Sequence, residues 1–137
     1  MKLCSACLLG LKCRYDGKSK SHKKVIKLAT KETLIPICPE QLGGLSTPRK
    51  PAEQKSGRVI TKNGDDVTTN FENGAKQVLE LAKLYNIKSA ILKQRSPSCG
   101  CGQIYDGTFS GAIIEGDGIT TKFLKENGMA VLTEDDL

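Results

Sequence analysis

The sequence contains no tryptophan, three phenylalanines, three tyrosines and one histidine. So few aromatic side chains exclude the stacking platforms on which single-stranded nucleic acids are held. A buried core must rest on Leu, Ile, Val and Ala instead. The one histidine, His22, stands among lysines and reads as an exposed side chain. No stretch approaches the ~20 consecutive apolar residues of a membrane span. The first residues, "MKLCSACLLGLKC", have a short apolar centre without a basic region ahead of it. Lys12 and Arg14 interrupt it at once, so it does not read as a secretion signal. Internal repeats and low-complexity segments are also missing.

What is present fits one soluble domain over residues 1–137, long enough to bury a core without disulfide staples. Hydrophobic residues make up 38% of the chain and charged residues 26%. The net charge of +6 comes from scattered basic residues, densest in "KSKSHKK", Lys18–Lys24. That run reads as a solvated loop and helix start, or as a weak phosphate-attracting surface. Six cysteines are the unusual feature. A chain without a secretion signal is expected in the cytoplasm, where stable disulfides are rare. Cysteines there point to metal or redox chemistry.

Periodicity gives the elements. A short strand is expected at residues 1–3, a helix over 21–31 and a strand over 33–37. A hairpin is expected in "RVITKNGDDVT" with its turn at Asn63–Gly64. The residues Phe71, Ala75, Val78, Leu79, Ala82 and Tyr85 recur at helical spacing over 70–85, with Thr69 or Asn70 as cap. A strand over 89–93, a helix over 118–127 and a last strand over 129–132 complete the chain. Alternating helices and apolar strands predict an α/β domain, Rossmann-like, with a mainly parallel sheet, crossover helices and a small hairpin.

Ligands of such sheets bind at the carboxyl ends of the strands. Cys7, Cys38 and Cys99 each follow an expected strand, so the three are expected to meet. Three thiolates suit an iron–sulfur cluster that leaves one iron without a protein ligand, a Lewis acid preferring soft donors. Zinc on Cys4, Cys7, Cys99 and Cys101, stabilising a non-enzymatic RNA- or nucleotide-binding module, is a rival reading, and would leave Cys38 without a role. A thioredoxin-like pair, Cys4 and Cys7, is another, though no helical period follows. Cys4, Cys13 and Cys101 read best as small buried hydrophobes. Around the three strand-end thiols lie Arg14, Arg49 and Arg95, candidates for gripping an anionic substrate. Glu40 stands two residues from Cys38 as a candidate general base, and Ser98 beside Cys99 as a hydrogen-bond donor or a plain turn residue. Glu53 reads as structural.

Together, "SACLLGLKCRYDG", "PICPEQLGGLSTPR", "GRVITKNGDDVT" and "KQRSPSCGCGQIYDGTFSG" resemble the thiouracil desulfidase family, over residues 1 to about 131. The resemblance implies a small Rossmann-like domain with a 4Fe–4S cluster on Cys7, Cys38 and Cys99. It implies that the fourth iron takes the substrate sulfur and that water replaces that sulfur on the pyrimidine without net redox change. It places the acid/base glutamate at Glu40 and the assisting serine at Ser98. Some relatives carry a second domain and are linked to thiolated tRNA. A free thiopyrimidine base or nucleotide is the expected substrate of this single domain.

Overall fold

Strand β1, Lys2–Ser5, sits inside a sheet whose other members come from both sides of it in sequence. The computed structural model describes all residues, Met1–Leu137. From β1 the chain passes through a 3-10 turn, Ala6–Leu9, and helix α1, Lys23–Ala29, to β2, Leu34–Ile37. A short helix α2, Pro39–Leu42, a hairpin of β3, Ala52–Lys55, and β4, Arg58–Thr61, and the long helix α3, Thr68–Leu84, lead to β5, Ser89–Leu92. A second hairpin, β6, Gln103–Tyr105, and β7, Ile113–Glu115, precedes helix α4, Ile119–Glu126, and strand β8, Ala130–Thr133. The central sheet has the order β2-β1-β5-β8 and is parallel throughout.

Period-two alternation divides the core between two helical layers. Leu3, Ala90 and Leu92 point to one face, where Val78, Leu79 and Ala82 of α3 and Leu124 of α4 cover them. Cys4 and Ile91 point to the other, under Val25 of α1. A strand buried on both faces needs apolar residues at every position, as "SAIL" in β5 supplies. From β1 the chain moves outward to β2, then returns across to β5. The crevice between the carboxyl ends of β1 and β5 is therefore the switch point where open α/β sheets take their ligands.

Several elements differ from the expected ones. The full hairpin partner of β4 lies upstream, with Ala52 opposite Thr61 and Lys55 opposite Arg58. Its turn is Ser56–Gly57, both in the left-handed region at φ 51° and 77°, as a tight two-residue hairpin requires. The Asn63–Gly64 turn forms as well, but it closes only a single bridge, Ile60 to Asp66. β3 escaped notice because "AEQK" is polar, with only Glu53 buried. The β6–β7 hairpin has three-residue strands, and β7 is exposed throughout. Helix α3 also starts earlier, with the Asp66 carboxylate accepting from the Thr68 amide at 2.9 Å. Thr69 and Asn70 are then interior, and Asn70 Nδ2 donates to the Gly43 carbonyl at 2.9 Å.

That contact is possible because α2 and α3 touch backbone to backbone. A Cβ on Gly74 would stand 2.0 Å from the Pro39 carbonyl oxygen, and one on Gly43 2.0 Å from that of Asn70. Glycine inside a helix costs about 1 kcal/mol relative to alanine, so on an open surface Gly74→Ala would stabilise. Here it should do the reverse, by about 1–3 kcal/mol, because α2 is pushed off α3. Urea unfolding checks this; a variant more stable than the parent would show that the helices separate freely.

Candidate functional site

The three strand ends meet. Cys7 lies in the turn directly after β1, Cys38 follows β2 and heads α2, and Cys99 lies on the loop after β5. All three line one cavity of about 200 Å³, together with Cys13, Glu40 and Ser98. All six thiols are free. Burial pushes the Cys99 thiol up to about 11. A hydrogen bond with the Cys13 thiol, then burial, pushes Cys38 far above the ordinary thiol range.

The Cys99 loop is fixed by its backbone. The first amides of α4 have no partners inside the helix. They donate instead to this loop: Ile119 to the Pro97 carbonyl at 3.0 Å, Thr120 to Ser98 at 2.8 Å, Gly118 to Gly100 at 2.7 Å. Thr121 Oγ1 adds a bond to the Cys99 carbonyl at 2.7 Å. A Cβ on Gly118 would lie 2.4 Å from the Ser98 carbonyl carbon, so only glycine lets the helix approach this closely. From the other side the Gln94 amide clasps Cys101, accepting from its N–H and donating to its carbonyl, both at 2.8 Å.

Within the cavity a directed line of hydrogen bonds ends on Glu40. Ser96 Oγ accepts from the Ser98 and Cys99 amides at 3.2 and 3.1 Å. With both lone pairs engaged, its own hydrogen goes to Ser98 Oγ, 2.9 Å away. The single Ser98 hydrogen is then free to point at Glu40 Oε2, at 2.9 Å. The other carboxylate oxygen, Oε1, takes Arg49 Nε at 3.0 Å. Ser96 and Gln94 are the contributors that reading the sequence missed. Ser96 was visible as a neighbour of Ser98, but its two amide bonds depend on the loop's turn.

The three arginines divide. Arg49 was expected to grip a substrate anion; in the structure its guanidinium is engaged within the chain. Its side chain is 8% exposed and every nitrogen is committed. Beyond Glu40, Nη1 donates to the Ser46 carbonyl at 3.2 Å and Thr47 Oγ1 at 2.9 Å, and Nη2 to the Cys13 carbonyl at 2.9 Å. Arg49 thus positions Glu40 and the Cys13 loop. Arg14 and Arg95 line the cavity and hold only loose carboxylate partners, Asp16 at 3.7 Å and Asp135 at 3.9 Å. Arg95 adopts φ 65°, an uncommon conformation for a residue with a side chain, which sites impose more often than surfaces do. Glu53 serves the fold, with Oε1 accepting from the Gly107 and Phe109 amides at 3.0 and 3.1 Å.

The zinc reading fails on two of its four thiols. Cys4 is wholly buried in the α1-side core, and burial pushes it up to about 12. Cys101 turns toward the Val131 carbonyl at 3.9 Å. The thioredoxin reading fails with it, since a redox pair needs an accessible thiolate. Nor do any three His, Cys, Asp or Glu side chains draw together tightly enough to grip one ion.

Comparison with known proteins gives matches along the whole chain. The family described as 2-thiouracil desulfurase matches residues 3–136. A Bacillus subtilis (strain 168) protein, described as uncharacterized protein YbbK, is 44% identical, covering 100% of this chain and 97% of that one. A solved structure, described as a [4Fe-4S]-dependent thiouracil desulfidase, TudS, superposes with a TM-score of 0.93 at 44% identity, covering 99% of this chain and 91% of its own.

The anchoring role of Arg49 is testable without cofactor. Arg49→Lys keeps the charge but loses the planar fork that reaches several acceptors at once. Urea unfolding of the metal-free variant should show a loss of about 1.5–3 kcal/mol, the worth of a hydrogen bond from a charged group. Unchanged stability would mean that lysine serves as well and that the fork is incidental.

Proposed function

The chain belongs to the 2-thiouracil desulfurase family, and from that premise we propose the roles of its residues in removing sulfur from thiouracil with a 4Fe–4S cluster. Cys7, Cys38 and Cys99 hold the cluster, Glu40 moves the proton and Ser98 directs it. The observation that carries this is the convergence of three free thiols with the Glu40–Ser98 pair in one cavity.

The donor set suits the group. Thiolates are the ligands of iron–sulfur clusters, and Cys7, Cys38 and Cys99 line one cavity as free thiols. When bound, the cluster supplies an iron without a protein ligand, a soft Lewis acid for the thiocarbonyl sulfur.

The rest is the work of the chain. The net change is C=S plus water giving C=O plus hydrogen sulfide, so no electron is transferred. Glu40 Oε2 is the basic atom facing Ser98, while Oε1 stays tied to Arg49. Arg49 fixes the carboxylate plane and keeps a half-buried anion paired, since its side chain is only 16% exposed. Glu40 takes a proton from the water that attacks the ring carbon and returns it to the departing sulfur, and the proton of the added hydroxyl follows the same route as the carbonyl forms. Ser98 donates to the carboxylate while the cavity holds no substrate, and to the water or ring oxygen afterwards. Arg14 and Arg95, whose carboxylate partners are loose, hold the polar side of the pyrimidine or a phosphate attached to it. A free base or nucleotide, rather than thiolated tRNA, is the proposed substrate. No helix is long and apolar enough to cross a membrane, and six free thiols suit the reducing cytoplasm.

Sulfide release measured anaerobically, with iron content checked for every variant, tests the assignment. Cys7→Ala, Cys38→Ala and Cys99→Ala should each lose the cluster. Glu40→Gln should keep it, with turnover lower by about 10²- to 10⁴-fold. A fully active Glu40→Gln would remove the glutamate from the reaction.

A further inference from the structure

Two tyrosines, Tyr15 and Tyr105, line the cavity and take no part in the roles above. The chain has three tyrosines and no tryptophan, so most of its tyrosine is spent on this one place. Neither belongs to an apolar core cluster; Tyr15 is exposed and Tyr105 half-buried. By contrast Phe71 is buried and Phe123 packs on the α3-side core. Both tyrosines open the same tripeptide, Tyr-Asp-Gly, at residues 15–17 and 105–107. The two turns are built alike. Asp16 Oδ1 accepts from the Lys18 amide at 3.0 Å, and Asp106 Oδ1 from the Thr108 amide at 2.9 Å. Gly17 and Gly107 take the left-handed region, at φ 74° and 94°, where a Cβ is poorly tolerated. Each turn is then pinned from elsewhere in the chain. The Tyr15 carbonyl accepts from the Arg49 amide at 2.9 Å, and the Gly107 amide donates to Glu53 Oε1 at 3.0 Å. Two loops remote in sequence thus bring an aromatic ring to one cavity on a fixed backbone.

We propose that Tyr15 and Tyr105 are the residues against which the thiopyrimidine ring packs, and that they select a flat aromatic ring among thiocarbonyl compounds. The proposal rests on the desulfidase reading above. A pyrimidine offers polar edges and two π faces. Glu40, Ser98 and the arginines are groups for its edges. A ring held by its edges alone can tilt, and misplacing the attacked carbon by an ångström is costly in rate. Aromatic side chains supply broad contact to the faces, in offset or edge-on arrangement. The Arg14 guanidinium lies 5.6 Å from the Tyr15 ring centroid, so a cation for the polar edge stands beside an aromatic wall. A platform for single-stranded nucleic acid needs a row of rings; a single base needs one or two.

The test compares the anaerobically reconstituted wild type with Tyr15→Ala, Tyr15→Phe, Tyr105→Ala and Tyr105→Phe, with iron content checked for each. Packing that is equal in the ground and transition states acts on KM and leaves kcat alone. The KM for thiouracil should therefore rise roughly 5- to 150-fold in each alanine variant, the worth of stacking a base on an aromatic ring. The phenylalanine variants keep the ring and should keep the KM. Because the base is neutral, the rise should be the same at low and high salt. A second measurement needs neither turnover nor a variant that folds. Near-ultraviolet light joins 4-thiouracil to the side chains it touches, and peptide mass spectrometry of the irradiated wild type should find the adduct on Tyr15 or Tyr105. Alanine variants with the wild-type KM, or adducts confined to other residues, would overturn the proposal. So would phenylalanine variants as impaired as the alanine ones, which would assign the role to the hydroxyl. A loaded wild type that releases no sulfide yet takes the adduct on a tyrosine would condemn the desulfidase reading and leave the ring site standing.

Discussion

Parallel pairing of β1 with β5 is the constraint from which the site follows. The register Leu3 to Ala90 and Cys4 to Ile91 joins the first strand of the chain to one far along it. Parallel strands cannot be joined by tight turns, so every connection leaves from the same edge. Because β2 lies on the other side of β1, the connections after β1 and β5 part and leave a crevice. Thiols that are remote in sequence arrive there without any element being bent toward them.

A second constraint is electrostatic. The cavity gathers thiols and a carboxylate in a half-buried place, where unpaired charge is costly. Its answer is economy of partners. Arg49 compensates Glu40 and in the same stroke fastens two loops. Ser96 has both lone pairs engaged by backbone amides, so its hydrogen goes to Ser98 and the Ser98 hydrogen to the carboxylate. The α4 amides meet the loop's carbonyls, which leaves neither set unsatisfied.

Much of this was legible in the sequence. The strand-end placement of Cys7, Cys38 and Cys99 brought them to one edge, because the carboxyl-end rule needs only strand order and direction. Glu40 and Ser98 were legible as neighbours of strand-end cysteines, although the bond between them spans distant parts of the chain. Side-chain commitments were harder to read. Arg49 looked like a substrate-binding group since nothing in "TPRKPAE" tells that Ser46, Thr47 and Cys13 surround it. Cys13, read as a small buried hydrophobe, is indeed buried within the α1-side core. The β3–β4 hairpin was misplaced because its first strand is polar, its register being set by a turn rather than by burial.

The loop of Cys99 leans on α4, and this has a consequence for the order of manufacture. A ribosome delivers Cys7 first, Cys38 soon after, and Cys99 only late. The amides that steady Cys99 come later still, at Gly118 to Thr121. Synthesis proceeds at roughly 5–20 residues per second, so the early thiols wait several seconds for their companions. During that interval they are ordinary cysteines on an unfinished chain, open to stray metals and oxidants. Convergence of the three thiols in this fold is thereby an event of the completed polypeptide.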